Sequence, residues 1–93
     1  MNLRFYQDPA TQEPHILEHG VSEHEVGEVL DAPFEDRSGT EGSRVAIGQT
    51  NSGRFLKVIY VPGPGTGEAF VITAFDLGPR ALKALRRRLR RRR

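Results

Sequence analysis

The sequence predicts one small α+β domain: a strand, two helices, an antiparallel meander and a C-terminal helix. Three observations carry that prediction. Apolar residues recur at helical spacing in the first third of the chain, alternate at strand spacing up to Phe75, and return to helical spacing after Pro79. Helices and strands fall into separate runs, which argues for helices packed on a sheet rather than for repeated β–α–β units. A length of 93 residues suits a single domain.

The elements follow in order. Residues 3–6 read as a short first strand, stopped by the turn-forming pair Asp8-Pro9. A helical stretch follows to about Glu18, with Gly20 as its C-terminal stop. Ser22-Glu23-His24-Glu25 has the form of a capping box, and Val26, Val29 and Leu30 continue as an i, i+3, i+4 apolar stripe that Pro33 ends. Residues 34–37 are a candidate strand, 38–42 a turn and 44–50 a strand, and Asn51-Ser52-Gly53 is a hairpin signal. Residues 54–61 are the strongest strand: Phe55, Ile59 and Val61 alternate with Leu56, Val58 and Tyr60, as in a central strand covered on both faces. Residues 62–67 form a loop and 69–75 the last strand. Pro79 suits the first turn of a helix, where its missing N–H would be unpaired anyway. Leu82, Leu85 and Leu89 then draw a narrow apolar seam along it. The expected architecture is an antiparallel sheet of about four strands with two N-terminal helices and one C-terminal helix.

There is no cysteine, so neither a disulfide nor a thiolate metal site holds the fold. No apolar run approaches the ~20 residues of a membrane span, and residues 1–8 lack the apolar core of a signal peptide. A cytoplasmic protein without membrane contact is the expectation. The net charge of +2 hides a strong asymmetry. Residues 80–93 carry nine cations and no acid, whereas residues 1–79 set five cations against twelve acids, a net −7. Such a block marks a tail that meets opposite charge. Three partners are open: nucleic acid, an acidic protein, or the chain's own acidic helix. No aromatic residue interleaves the arginines, which argues against a tail that reads single strands by stacking.

Several segments resemble the BrnT-like ribonuclease toxins of bacterial toxin–antitoxin pairs. His15-Ile16-Leu17-Glu18-His19-Gly20-Val21-Ser22 is similar to that family's "KHGV-S" helix end, with Asp31 and Pro33 matching the close of the following acidic helix. Arg44-Val45-Ala46-Ile47-Gly48-Gln49-Thr50 and Gly53-Arg54-Phe55-Leu56-Lys57-Val58-Ile59-Tyr60 are similar to its hairpin, and Val71-Ile72-Thr73-Ala74 to its final strand. The likeness runs from about Phe5 to Leu85, so residues 1–85 read as the domain and 86–93 as an arginine-rich extension of the last helix. The resemblance implies a RelE-like fold, metal-independent cleavage of RNA, and a cognate antitoxin bound tightly in a dimer-based complex, with the chain forming a homodimer or a heterotetramer with the antitoxin. Two positions depart from the pattern. Phe75 follows Ala74 where the family carries arginine, and the last helix lacks the family's tyrosine. A toxin-like fold without catalysis, serving as an RNA-binding or protein-interaction module, is therefore the alternative expectation.

Metal-free RNA cleavage needs a base for the 2′-hydroxyl proton, an acid for the leaving oxygen and cations for the phosphorane. His19, Arg44 and Arg54 are the candidate catalytic residues: imidazole holds both protonation states near neutrality, and arginine forks match phosphate oxygens. His15, Tyr60, Thr73, Arg86, Arg87, Arg88 and Arg90 are the candidate RNA contacts. Plain structural roles compete: His19 as a helix cap, His24 as a solvated side chain, Arg54 paired with an acid across the sheet, Tyr60 as core. His15 and His19 have the i, i+4 spacing of zinc ligands, but Ile16 occupies the glutamate position of H-E-x-x-H and no third ligand stands out. No metal and no cofactor are expected. The loop at 62–67 lacks the Lys-Ser/Thr of a phosphate loop and leads into a strand.

Overall fold

A computed structural model describes residues 2–92. Met1 and Arg93, the outer ends of the expected domain and tail, lie outside the described residues. Along the chain come β1 (Asn2–Phe5), a 3₁₀ helix (His15–His19), α1 (Glu23–Asp31), β2 (Glu35–Ser38), β3 (Arg44–Gln49), β4 (Phe55–Pro62), β5 (Glu68–Asp76) and α2 (Pro79–Arg91). The α+β class agrees with the sequence reading, but the element counts and the sheet type do not.

The sheet has five strands in the order β1-β5-β4-β3-β2. β2 to β5 form the expected antiparallel meander, whereas β1 joins β5 in parallel, Asn2 opposite Glu68 and Phe5 opposite Val71. The sheet is therefore mixed rather than antiparallel. The outer edge of β5, left open where the meander ends, takes partners for its backbone groups over Glu68–Val71. β1 supplies them, and the Tyr6 N–H extends the ladder to the Val71 carbonyl at 2.8 Å.

The first helical stretch is a five-residue 3₁₀ helix rather than an α-helix. Pro14 donates no hydrogen bond and biases Glu13 away from helical dihedrals. Residues 8–13 instead form a turn, in which the Asp8 carboxylate accepts from the Ala10 N–H and Gln12 takes a φ of 60°. Gly20 closes the 3₁₀ helix in the left-handed conformation, φ 69°, with its N–H turned back to the Leu17 carbonyl. α1 begins at the predicted capping box: Ser22 Oγ accepts from the Glu25 N–H, and Glu25 Oε1 accepts from the Ser22 N–H.

Strand parity divides the sheet into two faces. Ala46, Leu56, Val58 and Ala74 turn to one side and form the core with Val26, Val29 and Leu30 of α1 and Ile16 and Val21 beside it. α1 crosses close over β3, where a Cβ on Gly48 would lie 3.0 Å from Val29 Cγ1. Gly48→Val is accordingly expected to push α1 outward and cost about 1–3 kcal/mol, readable as a lower urea midpoint.

Glu35, Ile47 and Phe55 have the opposite parity and turn to α2, whose Leu85 is fully buried while Leu82 and Leu89 are half-buried. β4 is not fully covered on both faces, contrary to the expectation from its sequence. Leu56 and Val58 are fully buried, but Phe55, Ile59 and Val61 stay half-buried because α2 crosses only part of their face. A register shift between Ile59 and Tyr60 puts Thr73 opposite Ile59 and Val71 opposite Tyr60, leaving Ile72 as the extra residue. Among the described residues, no helix is long and apolar enough to cross a membrane.

Candidate nucleic-acid interface

Helical periodicity splits the cations of α2 into two groups. Arg80, Lys83, Arg87, Arg90 and Arg91 follow helical spacing on the side opposite the leucine seam and are all exposed, forming a stripe. Arg88 and Arg92 belong to the inner side. Arg88 grips Glu35 with two hydrogen bonds of 2.7 and 2.9 Å, and Arg92 reaches both Glu35 Oε2 and the Phe34 carbonyl. Arg37 adds a third guanidinium to the same carboxylate at 2.8 Å. Arg88, expected to contact RNA, is thus an anchor of the helix, whereas Arg87 and Arg90 face solvent. Arg86 lies between the groups, its guanidinium 5.7 Å from the Phe55 ring centre. The acidic partner of the tail is a buried strand residue. α1 lies across the other sheet face.

Glu35 is only 7% exposed, and hydrogen bonding to Arg88 holds its carboxyl below the ordinary range against the opposing cost of burial. Glu25 is lowered chiefly by the Ser22 N–H, and Asp76 chiefly by Arg54. All three folded-state values are depressed, so their stabilisation is complete above the unfolded carboxylate range. It is lost as pH falls through the folded values, below about pH 4. An acid titration followed by circular dichroism should show this loss, and Glu35→Gln should flatten it.

Arg54 is a hub beneath the 3₁₀ helix. Its guanidinium makes a two-pronged pair with Asp76 at 2.6 and 2.9 Å. It also donates to Glu25 at 3.0 Å, to the Gly20 carbonyl at 2.8 Å and to the His19 carbonyl at 3.4 Å. Every face of the fork is engaged, and the pairing with Asp76, then with Glu25, raises its already high pKa. Arg44 stands at the far end of the hairpin, opposite Tyr60, six residues along β4 from Arg54 and about 20 Å away. There Arg44 Nε donates to Asp36 at 2.7 Å, and the Tyr60 hydroxyl donates to the same carboxylate. Burial, then the bond to Asp36, pushes Tyr60 up to about 12, so its hydroxyl keeps its proton at neutral pH. Thr73 Oγ1 is buried and has no hydrogen-bond partner among the described residues. The three candidate catalytic residues are therefore not gathered. His19 and Arg54 meet through a backbone carbonyl, and Arg44 belongs to a separate cluster.

The histidines head a third cluster. His15 Nδ1 lies 3.4 Å from Glu18 and 3.8 Å from Asp8, which the turn at 8–13 folds back beside it. The two carboxyls share a hydrogen bond that lowers Asp8 and raises Glu18. Their ligand atoms and His15 Nδ1 lie within 4.8 Å of one another, a carboxylate–imidazole set that the linear sequence did not reveal. The His15 and His19 rings meet edge-on at 5.2 Å, and His19 meets Phe75 at 5.9 Å. Phe75, standing where the resemblance leads one to expect arginine, is itself covered by Lys57, whose Nζ lies 6.0 Å from the ring centre.

No family model matches this chain. Nor does any curated protein or solved structure show significant similarity to it.

Glu35, Asp36 and Asp76 organise these clusters and escaped the sequence reading. Strand parity offered a signal for Glu35, because an acid on the face of Phe55 and Ile47 needs a cation once it is buried. For Asp36 and Asp76 the pairing register alone supplies the partner.

Proposed function

We propose that this protein binds RNA through the outer face of α2, as a RelE-like toxin-type fold of the kind held by a cognate antitoxin. The observation that carries the reading is the division of labour in α2. Arg88 and Arg92 fix the helix to Glu35, leaving Arg80, Lys83, Arg87, Arg90 and Arg91 as a solvent-facing stripe. Five cations along one side of a helix suit a phosphate backbone, and counterion release makes their affinity steeply dependent on salt. Arg87→Glu with Arg90→Glu should weaken binding to a fluorescent RNA by about 100-fold at low salt and flatten the salt slope, without moving the thermal midpoint. Unchanged affinity would overturn the reading.

Cleavage of the bound RNA is the second reading, and His19 favours it: an exposed imidazole beside His15, with two carboxylates within reach of the pair. Every nitrogen of the Arg54 fork is engaged with carboxylates and carbonyls, and Arg44 is tied to Asp36 through two of its three nitrogens, so neither offers a whole free fork to a phosphorane. Induced expression of wild type beside His19→Ala, followed by growth and total RNA, tests this reading. Growth arrest with RNA loss, relieved by His19→Ala, would establish a ribonuclease toxin. Intact RNA in cells holding folded protein would leave the RNA-binding module.

A further inference from the structure

We infer that single-stranded RNA is bound by base stacking along a path of rings that starts beside α2 at Phe34 and runs through Phe55 and Phe75 to His19. The inference deepens the RNA-binding reading and rests on it. The tail carries no aromatic residue, but the fold supplies rings from the sheet. Phe34, a large apolar side chain left 37% exposed, lies 6.2 Å from Phe55. Phe55, Lys57 and Phe75 share one face, Phe55 two residues before Lys57 on β4 and Phe75 opposite Lys57 on β5. His19 continues the path at 5.9 Å from Phe75.

Charge sets the direction and the limits of the path. Arg86 covers Phe55 and Lys57 covers Phe75, each at the distance of a cation–π contact. A nucleotide satisfies both members of such a pair, its base stacking on the ring and its phosphate drawing the cation aside. The carboxylates along this stretch, Glu35 and Asp76, are held in ion pairs by Arg88 and Arg54. Beyond His19 the surface changes sign, because Asp8 and Glu18 flank His15 and repel phosphate. The path therefore ends at His19 on one side and opens onto the arginines of α2 on the other. Stacking tolerates any base, so binding should prefer single strands over duplexes without marked sequence preference.

The test compares a short fluorescent oligouridine with a duplex RNA of equal length, using wild type and a Phe34→Leu, Phe75→Leu double variant. Leucine keeps the apolar volume and removes the stacking face. The variant should bind oligouridine at least ten-fold more weakly and duplex RNA as before. In wild type, ring-proton resonances of Phe75 and His19 should move upfield on adding oligouridine, a readout independent of how well the variant folds. Unmoved ring signals, or a variant with full oligouridine affinity while the Arg87→Glu, Arg90→Glu protein loses it, would overturn the stacking path and leave the α2 reading standing. Failure of wild type to bind either RNA would overturn both.

Discussion

Arg54→Ala is expected to lower the unfolding free energy by about 3 kcal/mol, measured by urea denaturation. One guanidinium joins the end of β5 through Asp76, the first turn of α1 through Glu25, and the close of the 3₁₀ helix through the Gly20 carbonyl. Its removal leaves two carboxylates and a carbonyl to find water at a half-buried junction, a cost above that of an exposed ion pair. Arg54→Lys should recover only a minority of the loss, because an ammonium cannot reproduce the fork. The same substitution is a poor probe of catalysis, since lost activity would report lost structure.

Glu35→Ala should produce effects of opposite sign on two observables. Stability should fall by about 2–3 kcal/mol, because the carboxylate is buried and three guanidiniums converge on it. The salt dependence of RNA binding should steepen by up to about two phosphate equivalents, because Arg88 and Arg92 become available to the ligand. A protein whose stability and salt slope both fell would show instead that α2 must be docked to bind.

Much of the fold was legible in local chemistry. The capping box at Ser22, the hairpin at Asn51-Ser52-Gly53, the strength of β4 and the start of α2 at Pro79 all follow from signals that act within a few residues. Two features were not legible because they depend on distant partners. Nothing in residues 2–5 announces that they run parallel to β5, and Pro14 outweighed the helical spacing that precedes His15. The candidate site was less legible still. Arg44 and Arg54 look equivalent as flanks of one hairpin, yet a strand of six residues and a tight turn put them at opposite ends of it. The arginines of α2 look alike too, and only the position of Glu35 separates anchors from outward-facing cations. Phe75 read as a departure from arginine, and nothing in the sequence announces that the fold puts it beside Lys57 and His19.

The parallel pairing of β1 with β5 also bears on the order in which the chain acquires its structure. β1 leaves the ribosome before every other element, yet its partner strand is the last to be made. The meander can zip up from its own short turns during synthesis, whereas β1 must close a far longer loop than any other strand pairing among the described residues before it finds a ladder. Until then the outer edge of β5 is an open template for the strand of another chain. Slow docking of β1 is therefore expected as the late phase of refolding, and the interval before it as the period of greatest exposure to aggregation.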